Sequence, residues 1–244
     1  MLEGSMKEQY RVLDDYCKQL LHHNSGSTFI IKSSIVNDNK LFERVYICLK
    51  DCKDGFKACR PLIGLDGCFL KGYCKGLLLA VVGIDANNDM FLIAYVICEK
   101  ENTDTWNWFF KLLKEDLEVI DTRRYTLIRD RQKGLENALG SLFDGAEIRF
   151  CVRHLHANFK KEFPSLLLKQ KLWACAKATT LEDFKRRMAE MKEVKENAYD
   201  WLMKKAPTEW SKSHFRFHVN GDMLLNNLCE SSTLPYWMQG TSPS

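Results

Sequence analysis

The chain has 244 residues, of which 45% are hydrophobic and 28% charged, ordinary values for a soluble protein with a sizeable core. It has no apolar run near the roughly eighteen residues a membrane span needs, and its opening MLEGSMKEQY lacks the apolar core of a signal peptide. The net charge of +4 is too small to argue for nucleic acid by itself, and no Cys-x-x-Cys pair exists to suggest a zinc ribbon.

In chain order, Lys7–His23 carries Tyr10, Leu13, Tyr16, Cys17, Leu20 and Leu21 at three- and four-residue spacing, which predicts an amphipathic helix ended by Asn24-Ser25-Gly26. Thr28–Val36 and Leu41–Leu49 are predicted strands joined through Asn37-Asp38-Asn39, and Asp54–Cys59 is helical or irregular. Three strands follow, Leu62–Phe69, Leu77–Asp85 and Met90–Glu99. Their short polar connections predict an antiparallel meander. Asn102–Thr105 offers an N-cap to a helix whose buried face is Trp106, Phe109, Phe110, Leu112, Leu113 and Leu117. Then come a strand at Tyr125–Ile128, a helix at Lys133–Phe143 and a strand at Ala146–Cys151.

From His154 onward helical periodicity dominates, in Leu166–Cys175, Leu181–Val194 and Tyr199–Lys205, with Thr179-Thr180 before Glu182-Asp183 as a capping signal. Pro207 breaks the pattern, and Met223–Glu230 is a last predicted helix that Pro235 should end soon after. The expected division is an N-terminal helix and hairpin over 1–59, an α/β core over 60–154, a helical insertion over 155–222, and an acid-bearing helix and tail over 223–244. The ten cysteines lie singly in apolar or helical stretches and are expected to be reduced.

The core order is β-β-β-α-β-α-β, so the later strands are reached by helical crossovers and run parallel to the first. Asp66 closes an apolar run and is followed at once by Gly67, which alone would read as a turn. Asp130 stands just past the fourth strand, and Glu230 is a third candidate near the chain end. If the first and fourth strands are neighbours, Asp66 and Asp130 face one another, and converging carboxylates suit hard divalent cations. Charge is uneven: Arg153–Lys212 holds 14 Lys and Arg against 8 Asp and Glu, leaving the remainder slightly acidic. Such a segment either holds a polyanion near the acids or is a solvated helical face. Cys151 and His154 could form a split zinc site with His214 and His218, or simply pack. Trp106 belongs to the core stripe of its helix, whereas Trp108, on another face, stays open to base stacking.

The blocks IGLDGCFLKG, GIDANNDMFLIAYV, TDTWNWFFKLL, IRDRQKGL, CVRH and NNLCES occur in that order, with EQYRVLDDYCKQL and GSTFII before them. Together, from about Glu8 to Glu230, they resemble the transposase domain of plant Mutator-like elements (MULEs). The resemblance implies a ribonuclease-H-like mixed sheet with an α-helical insertion before the final acid. By it, Asp66, Asp130 and Glu230 form a DDE triad holding two Mg²⁺ or Mn²⁺ ions for DNA cleavage and strand transfer. Cys151 and His154 take the place of the family's C-x-x-H signature. Lys133 and Arg153 stand close enough in sequence to contact phosphate, or are solvated surface. The implied partner is DNA, with a homodimer as a further expectation, a nuclear location, and neither a membrane nor a small-molecule substrate. The rival expectations are a truncated or domesticated remnant that binds DNA or protein without cleaving, and a nuclease of the same fold without end specificity.

Overall fold

The computed structural model describes residues 11–70, 76–130 and 133–215. Seven strands form one mixed sheet: β1 (Thr28–Val36), β2 (Asn39–Cys48), β3 (Arg60–Phe69), β4 (Leu77–Ile84), β5 (Met90–Cys98), β6 (Thr126–Arg129) and β7 (Glu147–Phe150). Their spatial order is β1-β2-β5-β4-β3-β6-β7. β4 lies at the centre, and its sequence LLLAVVGI is buried on both faces, which is why it reads as a continuous apolar run.

The expected meander is present, with β4 antiparallel to both β3 and β5. At the β4–β5 turn Asp85 Oδ1 accepts hydrogen bonds from the backbone N–H groups of Asn87 and Asp89, both at 2.8 Å. Asn88 takes the left-handed conformation there, at φ 68°. β6 pairs parallel with β3, and β7 parallel with β6, as the two helical crossovers require. The N-terminal hairpin extends the same sheet, because β2 pairs antiparallel with β5 from Arg44 to Ile47. Its turn uses left-handed Asn37 and Asp38, the backbone that matches strand twist in a two-residue loop. Pro61 falls where the β3–β4 register shifts between Arg60 and Ile63, a place that tolerates a residue with no N–H to give.

Eight α-helices occur among the described residues. α1 (Leu13–His23) precedes the hairpin, and α2 (Lys50–Phe56) starts earlier than the 54–59 stretch expected from sequence. α3 (Thr103–Asp116) is capped by the Asn102 side chain, which accepts from the Thr105 N–H at 2.9 Å. α3 and α4 (Lys133–Leu142) cover one sheet face, and Trp106, Phe109, Phe110 and Leu113 supply the buried stripe. Gly134 permits their close approach: a Cβ there would lie 2.9–3.0 Å from the backbone of Asn102 and Thr103.

Helix was expected from His154; α5 (Val152–Glu162) begins two residues sooner. With α6 (Leu166–Lys177), α7 (Leu181–Val194) and α8 (Glu196–Met203) it encloses a second core around Phe159, Leu172, Cys175, Met191, Leu202 and Trp210. Thr180 caps α7 through the Asp183 N–H, as the sequence indicated. No helix among the described residues is long and apolar enough to cross a membrane. The eight cysteines among them are free thiols. The expected helix at Met223–Glu230 lies outside the described residues.

Candidate functional site

The parallel register of β3 and β6 pairs Leu62 with Thr126, Ile63 with Leu127 and Gly64 with Ile128. Two further steps along this register reach Asp66, inside β3 where it pairs with Ala80 of β4, and Asp130, one residue past the end of β6, so the register carries the two acids onto neighbouring segments. Asp66 is only 8% exposed, and its Oδ1 accepts from the Gly67 N–H at 2.9 Å. Beneath this end of the sheet, Leu62, Ile84, Ile128 and Cys151 form a small apolar cluster. A carboxylate as buried as Asp66, with a second one close by, is costly unless positive charge is near.

His154 brings that charge. The Cys151 N–H donates to the Arg129 carbonyl at 2.9 Å, tying the end of β7 to the end of β6. Cys151 is then the N-cap of α5, and its carbonyl accepts from the Leu155 N–H at 3.0 Å. A residue three positions past a cap sits over the helix start, so the Cys-x-x-His spacing sets the imidazole above Asp130. Its Nδ1 lies 4.0 Å from Asp130 Oδ1. That nitrogen is buried and makes no hydrogen bond, so its interaction with Asp130 is electrostatic. The Cys151 side chain, then the charges of Asp130 and Asp66, raise the His154 pKa to about 9 against the opposing effect of burial. These groups favour the protonated ring.

Next to this pair is a cavity of about 130 Å³. Asp130, Cys151 and His154 line one side, Arg129 and Phe150 the sheet end, and Trp201 and Lys205 the helical wall. Arg129 is 3% exposed; its guanidinium stacks 4.8 Å above the Phe150 ring, with Nη1 donating to the Asp130 carbonyl at 3.0 Å and Nη2 to Glu136 Oε1 at 3.1 Å. Lys205 is 9% exposed, its Nζ 3.2 Å over the Trp201 ring and donating to the Trp201 carbonyl at 3.0 Å.

The structure thus brings Asp66, Asp130, Cys151 and His154 together; Glu230 and His218 lie outside the described residues. Arg153 is half-buried on α5, one residue from His154. Lys133 opens α4, three residues past Asp130. His214 packs its ring against Phe184 at 4.8 Å and contacts Ser213 Oγ through Nδ1 at 2.9 Å. Trp108 is packed edge-on against Tyr46 at 6.4 Å with the Arg44 guanidinium 5.6 Å over its ring, so it is occupied by the protein itself. Among the described residues no group of three or more His, Cys, Asp or Glu side chains is placed to hold a metal ion.

Sequence reasoning missed Arg129, Asn158, Trp201 and Lys205. Helical periodicity could have found Asn158, which follows His154 by one turn on the cavity side of α5. For Trp201 and Lys205 no local signal exists, because folding alone brings α8 back to the sheet end. No curated protein matches the chain. Residues 62–158, about two fifths of its length, match the family model of the MULE transposase domain, a stretch that includes Asp66, Asp130, Cys151 and His154 and that supports a transposase-type function.

Proposed function

We propose that this chain cleaves and joins DNA phosphodiesters in the manner of a DDE transposase, with Asp66 and Asp130 as two of its acids. The observation that carries this is the parallel register of β3 and β6, which two residues beyond its last pair reaches Asp66 and Asp130, inside the stretch similar to the MULE transposase domain. The strand order, a three-stranded antiparallel meander followed by two parallel strands, supports a ribonuclease-H-like fold, extended at one edge by the N-terminal hairpin. Helices α5–α8 would be the insertion before the last acid.

As a pair of adjacent hard oxygen donors, Asp66 and Asp130 fit Mg²⁺ or Mn²⁺, with Glu230 as the third expected ligand. Bound there, the ions would activate the attacking oxygen and stabilise the leaving one. In cleavage, water attacks phosphorus and the P–O3′ bond breaks, leaving a 3′-hydroxyl and a 5′-phosphate. In joining, that 3′-hydroxyl attacks a second phosphodiester and displaces its 3′-oxygen. The chain's own part is to hold the carboxylates on rigid strands. Before a metal ion binds, a protonated His154 would offset part of their charge. The same reading puts the protein on nuclear DNA, with two copies pairing two element ends.

The test is Mn²⁺-dependent nicking and strand transfer on duplex DNA. Asp66→Asn should lower the rate more than about 100-fold, beyond what disturbing an outer-shell partner costs. Equal activity in Asp66→Asn, or no Mn²⁺-dependent cleavage by the parent, would turn the assignment toward a non-cleaving DNA- or protein-binding domain.

A further inference from the structure

The cavity beside Asp130 carries a charge that the carboxylate site does not use. Two permanent cations, Arg129 and Lys205, line it beside the Asp130 carboxylate. Both cations are more than nine-tenths buried. Lysine is normally a mobile point charge on a flexible stem. Here the stem is enclosed, and the ammonium is fixed between the Trp201 ring and the Trp201 carbonyl. Arg129 spends Nη1 and Nη2 on the Asp130 carbonyl and on Glu136, a carboxylate that is 61% exposed and shared with water. Its Nε is buried with no hydrogen-bond partner. A buried donor left without an acceptor beside a second buried cation is an arrangement that an incoming anion completes.

Size and position narrow the anion. At about 130 Å³ the cavity is well below the roughly 300–1,000 Å³ of sites that enclose whole ligands, so it admits a single group. Asn158, exposed at the mouth on α5, can donate an amide N–H to it. Asp130 belongs to both the cavity and the acid pair, so a group held here is next to the reacting bond. We propose that this cavity is a phosphate subsite, in which Lys205 and Arg129 receive the backbone phosphate neighbouring the one that reacts at Asp66 and Asp130. The helical segment thereby positions the strand that the sheet cuts. This assignment rests on the phosphodiester reading for its ligand, although binding and cleavage can be separated.

The experiment measures binding of a fluorescein-labelled single-stranded 12-mer of roughly one turn's length in EDTA, over a salt series, by anisotropy. Each phosphate contact adds about 0.7 to the salt slope on a single strand. Wild type should bind with a measurable salt slope. Lys205→Met, which keeps the apolar stem, should bind several-fold more weakly with a slope shallower by about 0.7, and Lys205→Arg should restore the slope. Asn158→Asp, at an exposed position with little folding risk, should weaken binding by placing a negative charge at the mouth. Unchanged affinity in Asn158→Asp together with an unchanged slope in Lys205→Met overturns the subsite, as does a wild type that does not bind. If Lys205→Met melts well below wild type, Asn158→Asp alone decides. Lys205-dependent binding in a protein that never cleaves with Mn²⁺ would sink the catalytic reading and leave the phosphate subsite standing.

Discussion

The sheet and the helical segment bury their apolar side chains in different ways. The sheet core is aromatic and layered: Trp106 stacks on Phe109 at 5.8 Å, and Phe110 meets Phe143 edge-on at 5.1 Å beneath α3 and α4. The helical core is built from Leu, Met, Cys and Ala around Phe159, Phe184 and Trp210, and it has no strand in it. The two meet where β7 runs into α5. Cys151 packs with sheet residues, whereas Val152, Leu155 and Phe159 pack with the helices. The site lies at that joint, with its acids on the rigid side and Trp201 and Lys205 on the other. Functional groups drawn from two cores can be disturbed separately, and this gives the comparison experimental content.

The largest effect is expected from breaking one core alone. Leu172 is fully buried in the helical core, so Leu172→Ala should cost about 2–5 kcal/mol there. Hydrogen exchange should show α6 and α7 losing protection while the amides of β4 keep theirs. Loss of β4 protection in parallel would mean that the two cores unfold as one unit and that the distinction is only geometric.

A change at the sheet side should act on the acids. Gly134 lies in the first turn of the helix that follows Asp130, and its missing Cβ leaves room for the Asn102 and Thr103 backbone at 2.9–3.0 Å. Backbone cannot swing aside as a side-chain tip can, so Gly134→Ala should destabilise by about 1–3 kcal/mol. It should also lower cleavage more than it lowers oligonucleotide binding, since it displaces α4, which begins three residues past Asp130. A variant as stable and as active as the parent would show that α3 and α4 separate without cost and that the position of Asp130 does not depend on their contact.

This contrast also explains what could be read in advance. Local chemistry wrote the strands: LLLAVVGI was legible as a nearly all-apolar strand, Asn102 and Thr180 announced their helices, and helical crossovers fixed β6 and β7 as parallel. Asp66 was legible as a candidate at the close of an apolar run, although β3 continues to Phe69, and Asp130 as the residue past a strand; their approach was expected only if the two strands were neighbours, and β3 does pair with β6. The Cys-x-x-His spacing was legible as a motif, while its effect, an imidazolium above Asp130, depends on the Cys151–Arg129 backbone bond that joins two distant segments. Lys205 lies 75 residues from Asp130 in sequence and shares a cavity with it. No period or cap encodes that meeting; it follows from how four helices pack, which is decided by side-chain shape. Pairing of the hairpin with β5 was hidden for the same reason, since β2 could have closed on β1 alone.

The smallest effect is a pH dependence at the joint itself. The folded pKa of His154, about 9, lies above the ordinary 6.5, because the Cys151 side chain and the two aspartates favour the charged ring more than burial opposes it. A raised pKa means that the folded state binds the proton more tightly than the unfolded chain does. The stabilisation is complete below about pH 6.5 and is lost as pH rises through about 9. The His154 side chain is 35% exposed, so solvent screens the interaction and the change should be modest. In metal-free buffer, denaturant melts across that window should show wild type losing stability relative to His154→Gln, and Asp130→Asn should flatten the difference. A wild type that gains stability over the same window would mean that burial outweighs the carboxylates, and that charge balance at the acid pair comes from elsewhere in the chain.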